Sequence, residues 1–140
     1  MVEVLVWNFM QNGNIGHAAA VVGGEYISWW PTETATLKSG RSAGAPNTLA
    51  EDLASEGRPP DHRIRITGLD DDAMVRWWRG FRHSNEYRLF VQNCSTVVGM
   101  ALTRGGGRNR TSGLGWAWRS WNVVWTPDDV RRYAEAIVHG

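Results

Sequence analysis

With 140 residues, of which 42% are apolar and 21% charged, the chain has the size and composition of one globular domain spanning residues 1–140. The net charge of +1 gives no reason to expect a nucleic acid partner, and the single cysteine excludes a disulfide framework. The sequence contains no run of about 18 apolar residues. We therefore expect a soluble protein without a transmembrane segment, which could be exported as part of a longer chain or by a system that needs no N-terminal signal peptide.

The N-terminal part of the sequence predicts antiparallel strands. Alternation at residues 2–7 is typical of a strand, and residues 17–22 and 25–30 form a predicted hairpin that Pro31 ends. Gly23 and Gly24 would close the hairpin as a two-residue turn, because both turn positions favour a positive φ.

The remaining sequence predicts one strand and several helices. Residues 32–60 are rich in Thr, Ser, Gly, Ala and Pro, so we expect a long, partly irregular connection with one weak helical stretch around residues 49–54. The other predicted elements are a strand at 62–66, a helix that starts at the acids 70–72, a helix from Cys94 to the glycines 105–107, a basic loop at 108–115, a strand at 121–125 and a C-terminal helix from Thr126.

Cys94 is the first candidate for chemistry. It lies where the apolar run 89–91 gives way to a helical pattern, with Asn93 before it and polar residues after it. Unpaired N–H groups and the dipole at a helix start favour a thiolate, which is the nucleophilic form of cysteine. The alternative is a small buried apolar residue without a chemical role.

His17 is the second candidate, at the beginning of the apolar strand 17–22. A two-residue turn sets Val22 opposite Glu25, and the same register sets His17 opposite Trp30. His17, Trp30 and Ser28 then share one face of the sheet, with Ser28 diagonal to the histidine. Cysteine and histidine together suffice for thiol catalysis.

These motifs resemble a known family. A histidine at a strand start, a short hairpin that ends in an aromatic pair and proline, and a later Asn93-Cys94 at a helix start are similar to the circularly permuted papain-like NlpC/P60 superfamily, including its lecithin:retinol acyltransferase branch. In that branch the histidine precedes the cysteine, as here. The resemblance implies an α+β papain-like fold in which a small antiparallel sheet packs against a helix headed by Cys94.

The resemblance also implies a site and a reaction. The Cys94 thiolate would attack the carbonyl of an amide, ester or thioester to form an acyl-enzyme, with His17 moving the proton. Ser28 occupies the position at which the branch often has a second histidine. It could orient His17 but carries no charge, so Glu25, Asn14 and Gln92 remain alternatives for the third residue.

Other residues complete the predicted site. Gln92 and the backbone N–H of Cys94 could form an oxyanion hole. Trp29, Trp30 and Trp116 would line a groove for a peptide, lipid or protein substrate. Domains of this kind resemble the catalytic regions of bacterial toxins or effectors, which would imply an immunity or target protein as partner.

Two further expectations concern other classes of protein. No metal-ligand spacing involves Cys94 or the four histidines, so we expect neither a metal nor a cofactor. The alternative function is a non-catalytic module in which the tryptophans and arginines recognise a peptide, glycan or lipid while Cys94 is merely buried.

Overall fold

Four antiparallel strands form the centre of the molecule, in a computed structural model that describes residues 1–8, 16–29, 48–83, 94–111 and 126–140. The strands are β1 (Val2–Trp7), β2 (His17–Val22), β3 (Glu25–Ile27) and β4 (His62–Ile66), and their order in the sheet is β3-β2-β1-β4. The described helices are α1 (Leu49–Glu56), α2 (Asp71–His83), α3 (Cys94–Arg104), α4 (Gly107–Arg110) and α5 (Pro127–His139). The fold is mixed α+β.

The hairpin has the predicted register. Val22 pairs with Glu25 and Val21 with Tyr26, so the connection is the two-residue turn of Gly23 and Gly24. Both glycines have a positive φ, at 53° and 82°. Such a turn matches the right-handed twist of the two strands, which is why this register is favoured. β3 is shorter than predicted, since its last residue is Ile27.

The two faces of the sheet carry separate apolar clusters. Alternate residues of β2 point to opposite faces, so Ala18 and Ala20 face one cluster and Ala19 faces the other. The larger cluster is covered by residues of α2, α3 and α5. The smaller one, formed by Leu5, Trp7 and Ala19, is covered by Leu49 and Leu53 of α1.

Helix α1 is better defined than the weak stretch that the sequence predicts. Thr48 accepts a hydrogen bond from the backbone N–H of Glu51, and the Glu51 side chain accepts one from Thr48. This capping box fixes the start of the helix, and Gly57 ends it in the left-handed conformation, with φ at 70°.

The predicted helices α2, α3 and α5 are confirmed, and one prediction in this region is wrong. Helix α3 ends at Arg104, before the glycine run, as expected. Gly107–Arg110, however, form the short helix α4 instead of the start of a basic loop. Gly107 fits there because a side chain at this position would collide with Ile137 and Tyr133 of α5. The predicted strand at 121–125 lies outside the described residues.

No helix in the described parts of the chain is long and apolar enough to cross a membrane.

Candidate active site

His17 lies at the first position of β2, in the interior of the protein. Its side chain is completely buried and is paired across the sheet with Trp7, the last residue of β1. The two ring centroids are 5.6 Å apart, with the planes tilted by 43°. An aromatic ring at this distance favours a positively charged imidazole.

The carboxylate of Asp52 binds this histidine. Asp52 lies on α1, is completely buried, and its Oδ2 atom is 2.9 Å from Nε2 of His17. The same oxygen accepts hydrogen bonds from Ser28 Oγ at 2.6 Å and from the hydroxyl of Tyr26 at 2.6 Å. Three side chains of the sheet therefore converge on one carboxylate oxygen, which offsets much of the cost of burying its charge.

These contacts fix the position of the hydrogens. An ionised carboxylate only accepts hydrogen bonds, so Nε2 of His17 must carry a hydrogen. Ser28 donates its own hydrogen to Asp52, and its oxygen, 2.9 Å from Nε2, therefore accepts from the histidine. Nε2 is thus the orienting nitrogen, and Nδ1 is the one that can exchange a proton with a reacting group.

Cys94 supplies the sulfur at the N-terminus of α3. Its side chain is half-buried, and its thiol is 3.8 Å from the hydroxyl of Ser95. Burial alone would raise the pKa of the thiol. The positive charge of His17, a hydrogen bond with its ring and the backbone N–H of Ala18 outweigh burial and lower the pKa of Cys94 below its usual value.

The same contacts act on His17 in the opposite direction. Burial alone would lower the pKa of the imidazole, but the negative charge of Cys94 and the hydrogen bonds with Asp52 and Cys94 raise it to about 10. A raised pKa on the base and a lowered pKa on the acid describe one coupled pair. The two shifts both favour the charged pair, a thiolate on Cys94 beside an imidazolium on His17.

The site is assembled from both faces of the sheet. Asp52 belongs to the helix that covers the smaller cluster, whereas Cys94 begins a helix whose apolar residues lie in the larger one. His17, the first residue of β2, binds Asp52 and is electrostatically coupled to Cys94.

The structure brings together three of the residues that the sequence singled out, namely His17, Ser28 and Cys94. Glu25 does not join them, because its carboxylate binds Arg79 on α2. Asn14, Trp30, Gln92 and Trp116 lie outside the described residues, so their predicted roles stay predictions.

Trp29 lies in the core instead of lining a groove. It is only 2% exposed and contacts Trp78 and Phe81 edge-on, with ring centroids 6.2 and 4.9 Å away. Its surroundings are those of a residue that packs the hairpin against α2.

Asp52 is the site residue that sequence reasoning missed. The signal that could have found it is the position of the acid within α1, since it follows Leu49 by three residues and directly precedes Leu53. An acid inside the apolar stripe of a helix must be buried, and a buried carboxylate needs a partner.

Within the described residues no group of three or more His, Cys, Asp or Glu side chains could hold a metal ion.

Comparison with known proteins identifies the family of the chain. The family model of the IcsB middle domain matches residues 44–139, which is more than half of the chain. The chain belongs to the IcsB middle-domain family. The matched region contains Asp52 and Cys94, whereas His17 precedes it.

Two curated proteins that are similar to the chain are bacterial toxins. The chain is 36% identical over 88 residues to a multifunctional-autoprocessing repeats-in-toxin protein of Vibrio vulnificus, and 33% identical over 94 residues to the protein of the same name from Vibrio cholerae. These matches cover 60% and 64% of the chain but only 2% of each toxin. No solved structure matches the chain significantly.

Proposed function

We propose that this chain is a cysteine-dependent hydrolase or acyltransferase that acts on an amide, ester or thioester through an acyl-enzyme. The observation that carries the proposal is the buried Asp52–His17 pair, which interacts with a cysteine of lowered pKa. A merely structural cysteine does not need an imidazole with a buried carboxylate behind it, whereas a nucleophilic one does.

In the first half of the proposed reaction the enzyme is acylated. The Cys94 thiolate attacks the carbonyl carbon, a carbon–sulfur bond forms, and the carbonyl oxygen becomes negatively charged. The backbone N–H of Cys94, at the start of α3, is suited to stabilise this oxyanion. When the intermediate collapses, the bond to the leaving group breaks and the leaving group takes a proton from His17.

In the second half the acyl group leaves the enzyme. Water or an acceptor nucleophile gives a proton to His17 and attacks the thioester carbon. The carbon–sulfur bond breaks, which releases the acyl product and restores the Cys94 thiolate beside the protonated histidine. Asp52 keeps the imidazole in one tautomer and orientation throughout.

The same residues support a papain-like domain of the circularly permuted NlpC/P60 type. The histidine comes before the cysteine in the chain, it lies on a strand, and the cysteine begins a helix that packs against that strand. This assignment rests on the arrangement of His17, Asp52 and Cys94 together with the resemblance of the motifs.

The family supports a role in a bacterial toxin or effector. Similarity to the IcsB middle domain and to two Vibrio toxins gives this setting. We propose a peptide, lipid or protein substrate in a target cell, with a target or immunity protein as partner.

The alternative, a non-catalytic recognition module, has less support. It needs tryptophans on the surface, and of the four tryptophans in the described residues Trp7, Trp29 and Trp78 are buried in the two apolar clusters. It also leaves the buried carboxylate behind His17 without a purpose.

Intact mass spectrometry tests the proposal. The chain is incubated at neutral pH with a p-nitrophenyl ester, an activated amide and an acyl thioester. We expect a mass increase equal to one acyl group, located on Cys94 by peptide mapping and absent in Cys94→Ser. Cys94→Ser is the matched control because only the sulfur changes. If the wild-type chain forms no adduct with any probe class, the enzyme proposal is wrong.

A further inference from the structure

Tyr26 lies beside the site and forms hydrogen bonds with Asp52 and Ser28. It lies on β3, two residues before Ser28, so both side chains belong to the sheet face that α1 covers. Its hydroxyl donates to Oδ2 of Asp52 at 2.6 Å. Its aromatic ring packs against the smaller cluster, which contains Leu5 and Trp7.

The hydrogen bonds that Ser28 and Tyr26 donate to Oδ2 of Asp52 restrict the movement of its carboxylate. The Asp52 side chain has two rotatable bonds, so one hydrogen bond to His17 leaves the carboxylate free to swing. Ser28 is a short side chain at the end of β3, whereas Tyr26 is a rigid ring held in the apolar cluster. The tyrosine therefore gives the carboxylate a fixed point on the sheet.

The Tyr26 hydroxyl keeps its hydrogen over the pH range in which the site works. Burial, together with the negative charge of Asp52, raises the pKa of the phenol well above its usual value. The group therefore remains a donor at every pH at which a thiolate–imidazolium pair exists.

We infer that Tyr26 is a positioning residue for the thiol chemistry, which holds the Asp52 carboxylate against Nε2 of His17 by a hydrogen bond from the strand next to the histidine. The inference rests on the proposed function. It adds Tyr26 as a residue that influences the ionisation of Cys94 through Asp52 and His17. Loss of the Tyr26 hydroxyl weakens the support of the imidazolium, and a less populated imidazolium stabilises the Cys94 thiolate less.

Four of the described residues lie around the His17 ring. Asp52 approaches from α1, Cys94 from α3, Ser28 from the end of β3 and the uncharged Trp7 from β1. Only Asp52 and Cys94 among them titrate or carry charge. A mutation at Tyr26 acts on the titration of the sulfur through Asp52 or through Ser28, and a comparison in the Asp52→Asn background distinguishes the two routes.

The test is the rate of Cys94 alkylation by iodoacetamide as a function of pH, measured on the whole chain for the wild type, Tyr26→Phe and Tyr133→Phe. Tyr133→Phe is a matched control, since it removes a hydroxyl that bonds Thr103 at 2.9 Å within the other cluster. In Tyr26→Phe we expect the acid limb of the profile to move up by about one pH unit, which makes alkylation on that limb roughly tenfold slower. Tyr133→Phe should keep the wild-type profile.

A double-mutant comparison completes the test. Adding Tyr26→Phe to Asp52→Asn should change the profile no further, because the tyrosine acts through the carboxylate. Phenylalanine keeps the ring in the cluster, and circular dichroism verifies that each variant folds. If Tyr26→Phe keeps the wild-type profile, or shifts it equally in both backgrounds, the inference is overturned. A wild-type thiol that titrates like free cysteine would instead overturn the proposed function.

Discussion

Asp52 is the residue through which the candidate site is connected, because one of its oxygens accepts hydrogen bonds from His17, Ser28 and Tyr26. Removing its charge would leave the imidazolium buried without its counter-ion and would favour the wrong tautomer. A mutation of Asp52 should therefore reduce reactivity more than removal of the Ser28 or the Tyr26 hydroxyl.

Replacement of Asp52 by asparagine tests this at the level of one atom. We expect Asp52→Asn to slow acyl-adduct formation on Cys94 by roughly 10²- to 10⁴-fold at neutral pH. The measurement is the rate of mass increase with a p-nitrophenyl ester. Asp72→Asn, on the exposed side of α2, is the control and should react at the wild-type rate. An Asp52→Asn rate within twofold of the wild type would contradict the assignment.

The pH dependence follows from the two coupled groups. Below the lowered pKa of Cys94 the sulfur is protonated and cannot attack, so activity falls as the pH decreases through that value. Above about pH 10 the imidazole of His17 is neutral and cannot protonate a leaving group. We expect a bell-shaped kcat/KM with its alkaline limb near pH 10, measured with an ester whose own hydrolysis is subtracted. An alkaline limb near pH 6.5 would mean that the histidine is an ordinary one.

Residues inside regular patterns were the predictable part of the site. His17 and Ser28 could be placed on one face because a Gly-Gly turn determines the hairpin register, and Cys94 because a strand-like run changes to a helical one. Asp52 could not be placed, since its helix lies in a connection with weak periodicity and its contact with His17 joins residues 35 positions apart.

Helix α1 has one role in the fold and one in the site. Its apolar residues Leu49 and Leu53 cover the smaller cluster, and the acid between them reaches His17. The stability of its first turn therefore determines how often the carboxylate leaves the site.

Removal of the α1 cap tests this connection. Thr48→Ala should cost about 1 kcal/mol, equivalent to roughly fivefold faster amide hydrogen exchange in residues 49–56. Thr126→Ala removes the same kind of capping box from α5 and should cost a similar amount without accelerating exchange in α1. Hydrogen exchange followed by mass spectrometry distinguishes the two. Equal acceleration in α1 for both variants would show that α1 opens only with the whole molecule.

At the scale of the whole molecule, the sheet order and the distribution of helices over its two faces were not predictable. β4 pairs with β1 although Ile66 and Val2 are far apart in the chain, and no turn specifies such a register. The local elements were predictable because periodicity and caps act over a few residues, whereas the packing of α1 and α3 on opposite faces depends on contacts between distant segments.

Trp29 gives a test of the core that joins the hairpin to α2. Trp29→Ala should reduce the free energy of unfolding by about 3–5 kcal/mol, because it removes a buried ring that contacts both Trp78 and Phe81. Urea denaturation measures the change. Trp77→Ala, at a half-buried position on α2, should reduce the free energy of unfolding by less. If Trp29→Ala left the stability unchanged and weakened substrate binding, Trp29 would line a substrate groove, as the sequence predicts.

Asp52 and Cys94 belong to helices on opposite faces of the sheet, so the reactivity of the site depends on the docking of both helices. A chain in which only one layer has docked holds either a sulfur without a base or a base without its carboxylate. In either case one of the interactions that support the charged pair is missing. Full activation of the sulfur therefore requires that the helices on both faces are docked on the sheet.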